Sequence, residues 1–236
     1  GILKWAKEWK ADAIIGQWNN DTVNLLKELN IPIVLQNYHH RSTTYSNLTG
    51  DYKGTGRMAA QFFAKRMFHN FAYFGINGVV WSDERCEGFR QEVKRIGGNF
   101  YCFESDKHED EIRIEVSQWL QELPKPIALF CCDDSHALFI SETCKISNIH
   151  IPEEISLLGV DNDDLICNIS DPPISSIELA AKLIHLHSKS SCFHSGRNLC
   201  RTACLCSIAH HAGINGQGID NGVCHLGVIS PIKIGN

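Results

Sequence analysis

Short apolar runs alternate with helical patterns through the first 180 residues of the chain. Apolar residues three and four positions apart predict helices, whereas short unbroken apolar runs bounded by polar residues predict buried strands. The predicted strands are 13–16, 31–37, 70–76, 99–103, 126–131 and 155–160. The predicted helices cover the segments 2–9, 23–29, 54–67, 83–96, 112–123 and 137–146.

This alternation predicts an α/β fold in which parallel sheets carry helices on both faces. Ligands of such folds bind in a crevice beyond the carboxyl ends of the strands. Polar or aromatic residues follow several predicted strands directly: Trp18, the segment 77–85, Asp133, Asp134 and Asp161. We expect these side chains to converge on one crevice.

Composition narrows the class of protein. A formal charge of -5 over 236 residues argues against a nucleic-acid surface on this chain, because phosphate binding needs clustered Lys and Arg. Eleven cysteines without a small-scaffold spacing favour reduced thiols over a disulfide framework. With neither a secretory signal nor a run of about 20 apolar residues, we expect a cytoplasmic protein without membrane contact.

Four segments, in order and spacing, resemble the effector domain of lac-repressor-type regulators and periplasmic sugar-binding proteins. They are GDYKGTGRMAAQFF (50–63), SDERCEGFR (82–90), the segment 128–164 and DPPISSIEL (171–179). Within that superfamily, the segments 3–18 and 37–59 look most like the branch of xylose operon regulators. The resemblance covers residues 1 to about 180.

The resemblance implies two doubly wound parallel-sheet lobes with a sugar held between them. Residues 1–67 and 174–187 would form an incomplete first lobe, and residues 68–173 the second. The family pattern implies that Asp51, Arg85, Asp133 and Asp161 bind the sugar, and position alone adds Trp18 and Trp81 as aromatic covers. It further implies a non-enzymatic sensor without a cofactor, whose ligand is a pentose such as D-xylose.

The residue chemistry agrees with a sugar ligand. Each sugar hydroxyl donates and accepts, so carboxylates that only accept and a guanidinium that only donates can fix the orientation of the ring. DNA contact would then come only through a domain absent from this chain. A homodimer is possible, since regulators of this superfamily commonly pair through the effector domain.

Several of these residues also have alternative, less specific interpretations. Asp133 could bind ligand while Asp134 caps the following helix, or both could be structural. Arg85 could instead form a surface ion pair with Glu84 or Glu87, and Asp161 could be a turn residue.

Two motifs invite functional interpretations that we do not favour. Cys131 and Cys132 are expected to finish a buried strand, because free cysteine behaves as a small hydrophobe. Gly54 and Gly56 precede a helical pattern like a phosphate loop, but the lysine and third glycine of that motif are missing. Close backbone packing is the better explanation of these glycines.

The pattern dissolves after residue 188, where histidines and cysteines accumulate. A zinc site is conceivable there, although the usual paired spacings are missing. The favoured alternative is that residues 188–236 are not native to the fold, for example a shifted reading frame. The residues considered as zinc ligands are Cys200, Cys204, Cys206, His210 and His211.

Two other functional classes remain open at this point. A transport receptor that passes sugar to a membrane permease would share the fold. An α/β enzyme could use Asp133, Asp161 or His136 as acid or base, although neither a nucleophile elbow nor a nucleotide fingerprint accompanies them.

Overall fold

A computed structural model describes residues 2–11, 13–17, 20–36, 39 and 41–179, and the backbone of four short strands beyond them. The helices are α1 (Ile2–Glu8), α2 (Asn20–Leu26), α3 (Tyr52–Ala64), α4 (Val80–Arg95), α5 (Glu109–Glu122), α6 (Asp134–Ile146) and α7 (Asp164–Ile169). The strands are β1 (Ile14–Gly16), β2 (Ile33–Leu35), β3 (Ser46–Thr49), β4 (Asn70–Ile76), β5 (Asn99–Ser105), β6 (Ile127–Cys131), β7 (Ile155–Val160), β8 (Ser175–Ile177), β9 (His185–His187), β10 (Ile219–Asp220), β11 (Val223–Cys224) and β12 (Ile232–Lys233).

The chain forms two compact units, Gly1–Asp51 with Ala181–Val228 and Tyr52–Ala180 with Ile229–Asn236. In the first unit, β1, β2 and β3 are parallel, and β9 continues the sheet antiparallel to β3. The small core of this unit includes Val23, Leu26 and Leu35. The strands β1, β2 and β3 are only three or four residues long.

The second unit contains a larger sheet in the order β12-β8-β7-β6-β4-β5. The five strands from β4 to β8 are parallel, and β12 joins at one edge in the antiparallel direction. The strand order changes direction at β4, because the next strand, β5, lies on one side of it and β6, β7 and β8 follow on the other. The carboxyl ends of β4 and β6 are therefore a topological switch point. The predicted α/β class with parallel sheets is confirmed.

Both faces of this sheet are buried, as expected of parallel strands. One core cluster lies beside α5 and α6 and includes Phe74, Leu120 and Ile140. The other lies beside α3 and α4 and includes Phe63 and Phe89. Alternate residues of each strand face alternate clusters, which explains the unbroken apolar runs in the sequence.

Two glycines let α3 and α4 pack backbone to backbone. A Cβ at Gly56 would lie 2.1 Å from the carbonyl oxygen of Arg85, and a Cβ at Gly88 would lie 2.1 Å from that of Lys53. Gly54 and Gly56 lie inside α3 and not in a loop, so the expected close packing is confirmed and the phosphate-loop alternative is wrong.

The compact units differ from the lobe boundary predicted at residue 67. Because α3 packs along α4, this helix groups with the second unit, which begins at Tyr52. The predicted lobe limits otherwise stay predictions, and the tail residues proposed as zinc ligands lie outside the described residues. Among residues 41–179, the short elements β3, α7 and β8 were not predicted. No helix among the described residues is long and apolar enough to cross a membrane.

Candidate ligand-binding site

The carboxyl edge of the larger sheet brings together three of the predicted site residues. Asp133 follows β6, Asp161 follows β7, and Arg85 projects from α4, the helix after β4. Because parallel strands end at the same edge, side chains far apart in the sequence become neighbours there. The amino end of α4 is held at this edge through Ser82, whose Oγ accepts the backbone N–H of Ile76 at 3.0 Å.

Arg85 is the most buried charged residue of this group, with only 3% of its surface exposed. The guanidinium donates to the carbonyl oxygen of Cys132, and its Nη2 lies 3.6 Å from Oδ1 of Asp161. Its Nε is buried without a hydrogen-bond partner among the described residues. The predicted alternative of a surface ion pair with Glu84 or Glu87 is therefore wrong, because an almost fully buried guanidinium is not a solvated surface charge.

Two aromatic rings flank the Arg85 guanidinium. Its carbon lies 5.1 Å from the ring centre of Trp81 and 5.5 Å from that of Tyr52. Both distances are within the range of cation–π attraction. Trp81 was a predicted site residue, whereas Tyr52 was not predicted. The one sequence signal for Tyr52 is its place between Asp51 and the glycines of α3.

Asp161 combines an exposed carboxylate with an unusual backbone. Its φ is 103°, a region that residues with a Cβ rarely adopt, and its side chain is 50% exposed. Its backbone N–H donates to the carbonyl oxygen of Ile177 at 2.9 Å, which anchors the strained residue. Partial burial raises the pKa of Asp161, although the Arg85 guanidinium opposes that rise. Strain of this kind clusters at ligand sites, although Asp161 also serves as the predicted turn residue.

Asp133 forms the N-cap of α6. Its Oδ1 accepts the backbone N–H of His136 at 2.8 Å and lies 2.7 Å from Nδ1 of the same residue. Burial acts to raise the pKa of Asp133, but the hydrogen bonds from His136 outweigh it and hold the pKa below its ordinary value. Asp133 is therefore an anionic acceptor at the edge of the sheet.

The prediction that Asp134 caps the helix is wrong. Asp134 is 2% exposed and lies inside the protein, where Oδ1 accepts the hydroxyl of Ser176 at 2.6 Å and Oδ2 accepts the backbone N–H of Asp163 at 2.8 Å. The reason is geometric, because the chain leaves β6 in an extended conformation at Asp133 and turns into the helix only at Asp134. Asp134 thereby secures the loop that carries Asp161.

The two cysteines before this junction are buried, as predicted: Cys131 ends β6, and Cys132 follows it. Cys131 and Cys132 are both 0% exposed. Burial raises the pKa of each thiol well above its ordinary value, so neither is a reactive thiolate.

A pocket of about 540 Å³ opens beside the switch point of the same sheet. The ends of β4 and β5 and the first turns of α5 and α6 form its wall, with Phe74, Lys107, Glu109 and His136 among the lining residues. Burial raises the pKa of Glu109, whereas His136 acts against that rise. Glu109 was missed by the sequence analysis, and His136 was considered only as an acid or base.

The other two predicted site residues, Asp51 and Trp18, are outside the residue range of the second unit. Asp51 belongs to the first unit, immediately before α3. Trp18 lies outside the described residues. Arg85, Asp133, Asp161 and Trp81 are thus the part of the predicted set that the second unit carries.

The chain is similar in sequence to a known protein family and to individual known proteins. Residues 60–184 match the model of a family described as a periplasmic binding protein-like domain. The chain is 26% identical over 194 residues to the xylose operon regulatory protein of Haemophilus influenzae, covering 74% of this chain and 50% of that protein. It spans about half the length of the curated relatives it matches.

Solved structures share the fold. A xylose-binding transcription activator superposes with a TM-score of 0.60 at 21% identity, covering 71% of this chain and 47% of that one. A periplasmic binding protein/LacI transcriptional regulator from Alkaliphilus metalliredigens, complexed with D-xylulofuranose, gives a TM-score of 0.58 at 17% identity and covers 75% and 66% of the two chains.

Proposed function

The chain belongs to the periplasmic binding protein-like domain family, and from this premise we propose that it is the sugar-sensing part of a transcription regulator. The ligand we propose is a pentose, with D-xylose first. The naming of a relative as a xylose operon regulatory protein supports this choice, as does a structural neighbour complexed with the pentose D-xylulofuranose. Arg85, Asp133, Asp161 and Trp81 are the proposed contacts in the second unit, and Asp51 and Trp18 stay proposed contacts from the first.

The observation that carries this proposal is the buried guanidinium of Arg85 with its unpartnered Nε. A buried donor without an acceptor costs about 1–3 kcal/mol, so such a group is retained where another molecule can satisfy it. Asp161 lies beside this guanidinium and Trp81 covers its face. A donor, an acceptor and an aromatic surface are the three elements that a sugar ring requires.

The charges of the site favour a neutral ligand over an anionic one. Asp133 and Asp161 place two carboxylates near a single guanidinium, so an anion would meet net negative charge. Neutral hydroxyls can donate to the carboxylates and accept from Arg85 at the same time. In the whole regulator, sugar binding would bias the protein toward one of two states, and a DNA-binding domain would respond to that bias.

Thermal melts with D-xylose, L-arabinose, D-ribose and D-glucose test the assignment. Ligand at about one hundred times its dissociation constant adds roughly 2.7 kcal/mol to the folded state, which raises the melting temperature by about 5–10 °C in a chain of this size. Arg85→Gln should weaken binding of the active sugar by roughly 10–100-fold, because a hydrogen bond from a charged donor is lost.

Arg90→Gln is the matched control, since Arg90 lies exposed on the same helix and pairs with Glu87. A cooperative melt that no sugar shifts, or equal effects of the two variants, contradicts the proposal. Consumption of the sugar during incubation would favour the enzyme class instead, with the Asp133–His136 pair as its acid and base.

A further inference from the structure

A separate group of metal-binding side chains lies on the far edge of the same sheet, on β5. Cys102 and Glu104 are two residues apart on this strand and therefore point to the same face, the face that α4 covers. Cys86 of α4 lies over them. Its Sγ is 3.7 Å from Sγ of Cys102, and that sulfur is 3.3 Å from Oε2 of Glu104.

These separations match the edges of a tetrahedral zinc site. Zinc bonds sulfur at about 2.3 Å and carboxylate oxygen at about 2.0 Å, so two sulfurs around one ion lie about 3.8 Å apart, and a sulfur and an oxygen about 3.5 Å. The Cys86, Cys102 and Glu104 ligand atoms all lie within 4.8 Å of one another. Three protein ligands leave the fourth position of a tetrahedron for water.

The exposure of the three side chains also suits metal binding. Cys102 and Glu104 are exposed on the edge strand, so an ion can reach the group from solvent, whereas Cys86 is 7% exposed and anchors it. Both cysteines are free thiols.

We propose that Cys86, Cys102 and Glu104 form a binding site for a thiophilic divalent cation such as Zn²⁺. The site ties α4 to the edge strand β5, and α4 also carries Arg85. The binding step releases one proton from each thiol, while Glu104 coordinates as the carboxylate already present. This site is independent of the proposed sugar function.

Cobalt(II) and zinc titrations of the full-length chain test the site, with its five tail cysteines replaced by serine. Those residues are Cys192, Cys200, Cys204, Cys206 and Cys224. Cobalt should give a thiolate-to-metal charge-transfer band and the intense visible bands of tetrahedral coordination, and zinc should displace it. Cys102→Ser should remove the charge-transfer band or strongly reduce it, and should lower zinc affinity at least about a hundredfold.

Cys167→Ser is the matched control, since Cys167 lies in the same unit away from the group. Zinc should also protect Cys102 from alkylation. Peptide mass spectrometry measures this protection independently of the cobalt absorption bands. A cobalt spectrum without the thiolate band, a band that Cys102→Ser leaves intact, or full alkylation of Cys102 in saturating zinc would each overturn the proposal.

Discussion

Asp133 and Asp134 are neighbours in the chain, yet the junction of β6 and α6 gives their carboxylates opposite surroundings. Asp133 faces the edge of the sheet, where its side chain is 19% exposed and interacts with His136. Asp134 points inward and binds Ser176 and the backbone of Asp163. The pKa of Asp133 is lowered and that of Asp134 is raised. The comparison shows that one residue of the pair lies at the carboxyl edge of the sheet, where we propose that it binds a ligand, while the other holds the loop after β7 in place.

Asp134 nevertheless acts on the carboxyl edge of the sheet through the loop after β7. The Ser176 hydroxyl that Asp134 accepts also accepts the backbone N–H of Asn162 at 3.0 Å. Asp134 therefore determines where Asp161 lies without itself reaching the crevice. Glycine is required at position 159, next to these hydrogen bonds, since a Cβ on Gly159 would lie 2.2 Å from Oδ1 of Asp134.

Removal of the inner carboxylate should have the largest effect. Asp134→Ala leaves the Ser176 hydroxyl and the backbone N–H of Asp163 without their acceptor in a buried site, and each such group costs about 1–3 kcal/mol. We expect a loss of roughly 2–4 kcal/mol in the free energy of unfolding, measured by urea titration. A loss below about 1 kcal/mol would mean that the hydrogen bonds of Asp134 to Ser176 and Asp163 do not support the loop after β7.

Replacement of the outer carboxylate should separate its two roles. Asp133→Asn keeps a good helix cap, whereas Asp133→Ala removes the cap and costs about 1 kcal/mol. Both variants lose the anionic acceptor, so sugar affinity should fall about tenfold or more in each. Calorimetry with the active sugar and urea titration of both variants measure the two effects. Affinity retained in Asp133→Asn would contradict a ligand role for the charge.

Much of the second unit could be predicted from sequence, because long apolar runs and helical periodicity are local signals. Strand β4 matches its prediction at both ends. The short elements β3, α7 and β8 contain too few residues to establish a period. Trp81 was predicted from its place after β4 and Arg85 from the family pattern. Tyr52 and Glu109 were not predicted, because their position depends on packing between distant segments.

The helix cap, predicted at Asp134 but formed by Asp133, shows a further limit of the sequence. Either residue could cap a helix, and the sequence does not reveal at which one the backbone leaves the strand conformation. In the structure Asp133 is extended, with φ of -153°, and the helix begins with the next residue. One residue of register therefore decides which carboxylate is buried. The polar partners of Asp134 come from Ser176 and Asp163, which are distant in sequence.

The smallest expected effect is the most specific test of the comparison, because it predicts opposite signs. A carboxylate whose pKa is lowered on folding, such as Asp133, contributes stability above its ordinary pKa near 3.9 and loses it as pH falls through the folded pKa. A carboxylate whose pKa burial raises, such as Asp134, contributes below its ordinary pKa and loses that contribution as pH rises through the folded pKa.

The stability of the wild type relative to Asp133→Asn should therefore increase as the pH is raised from acid toward neutrality. The stability of the wild type relative to Asp134→Asn should decrease as the pH is raised over the same range. Asparagine removes the charge with little change of shape, so both differences isolate titration from packing. Urea titrations of the three proteins across the acidic range measure these slopes. Slopes of the same sign would mean that the two carboxylates share one environment, and the distinction between an outer ligand residue and an inner structural residue would fail.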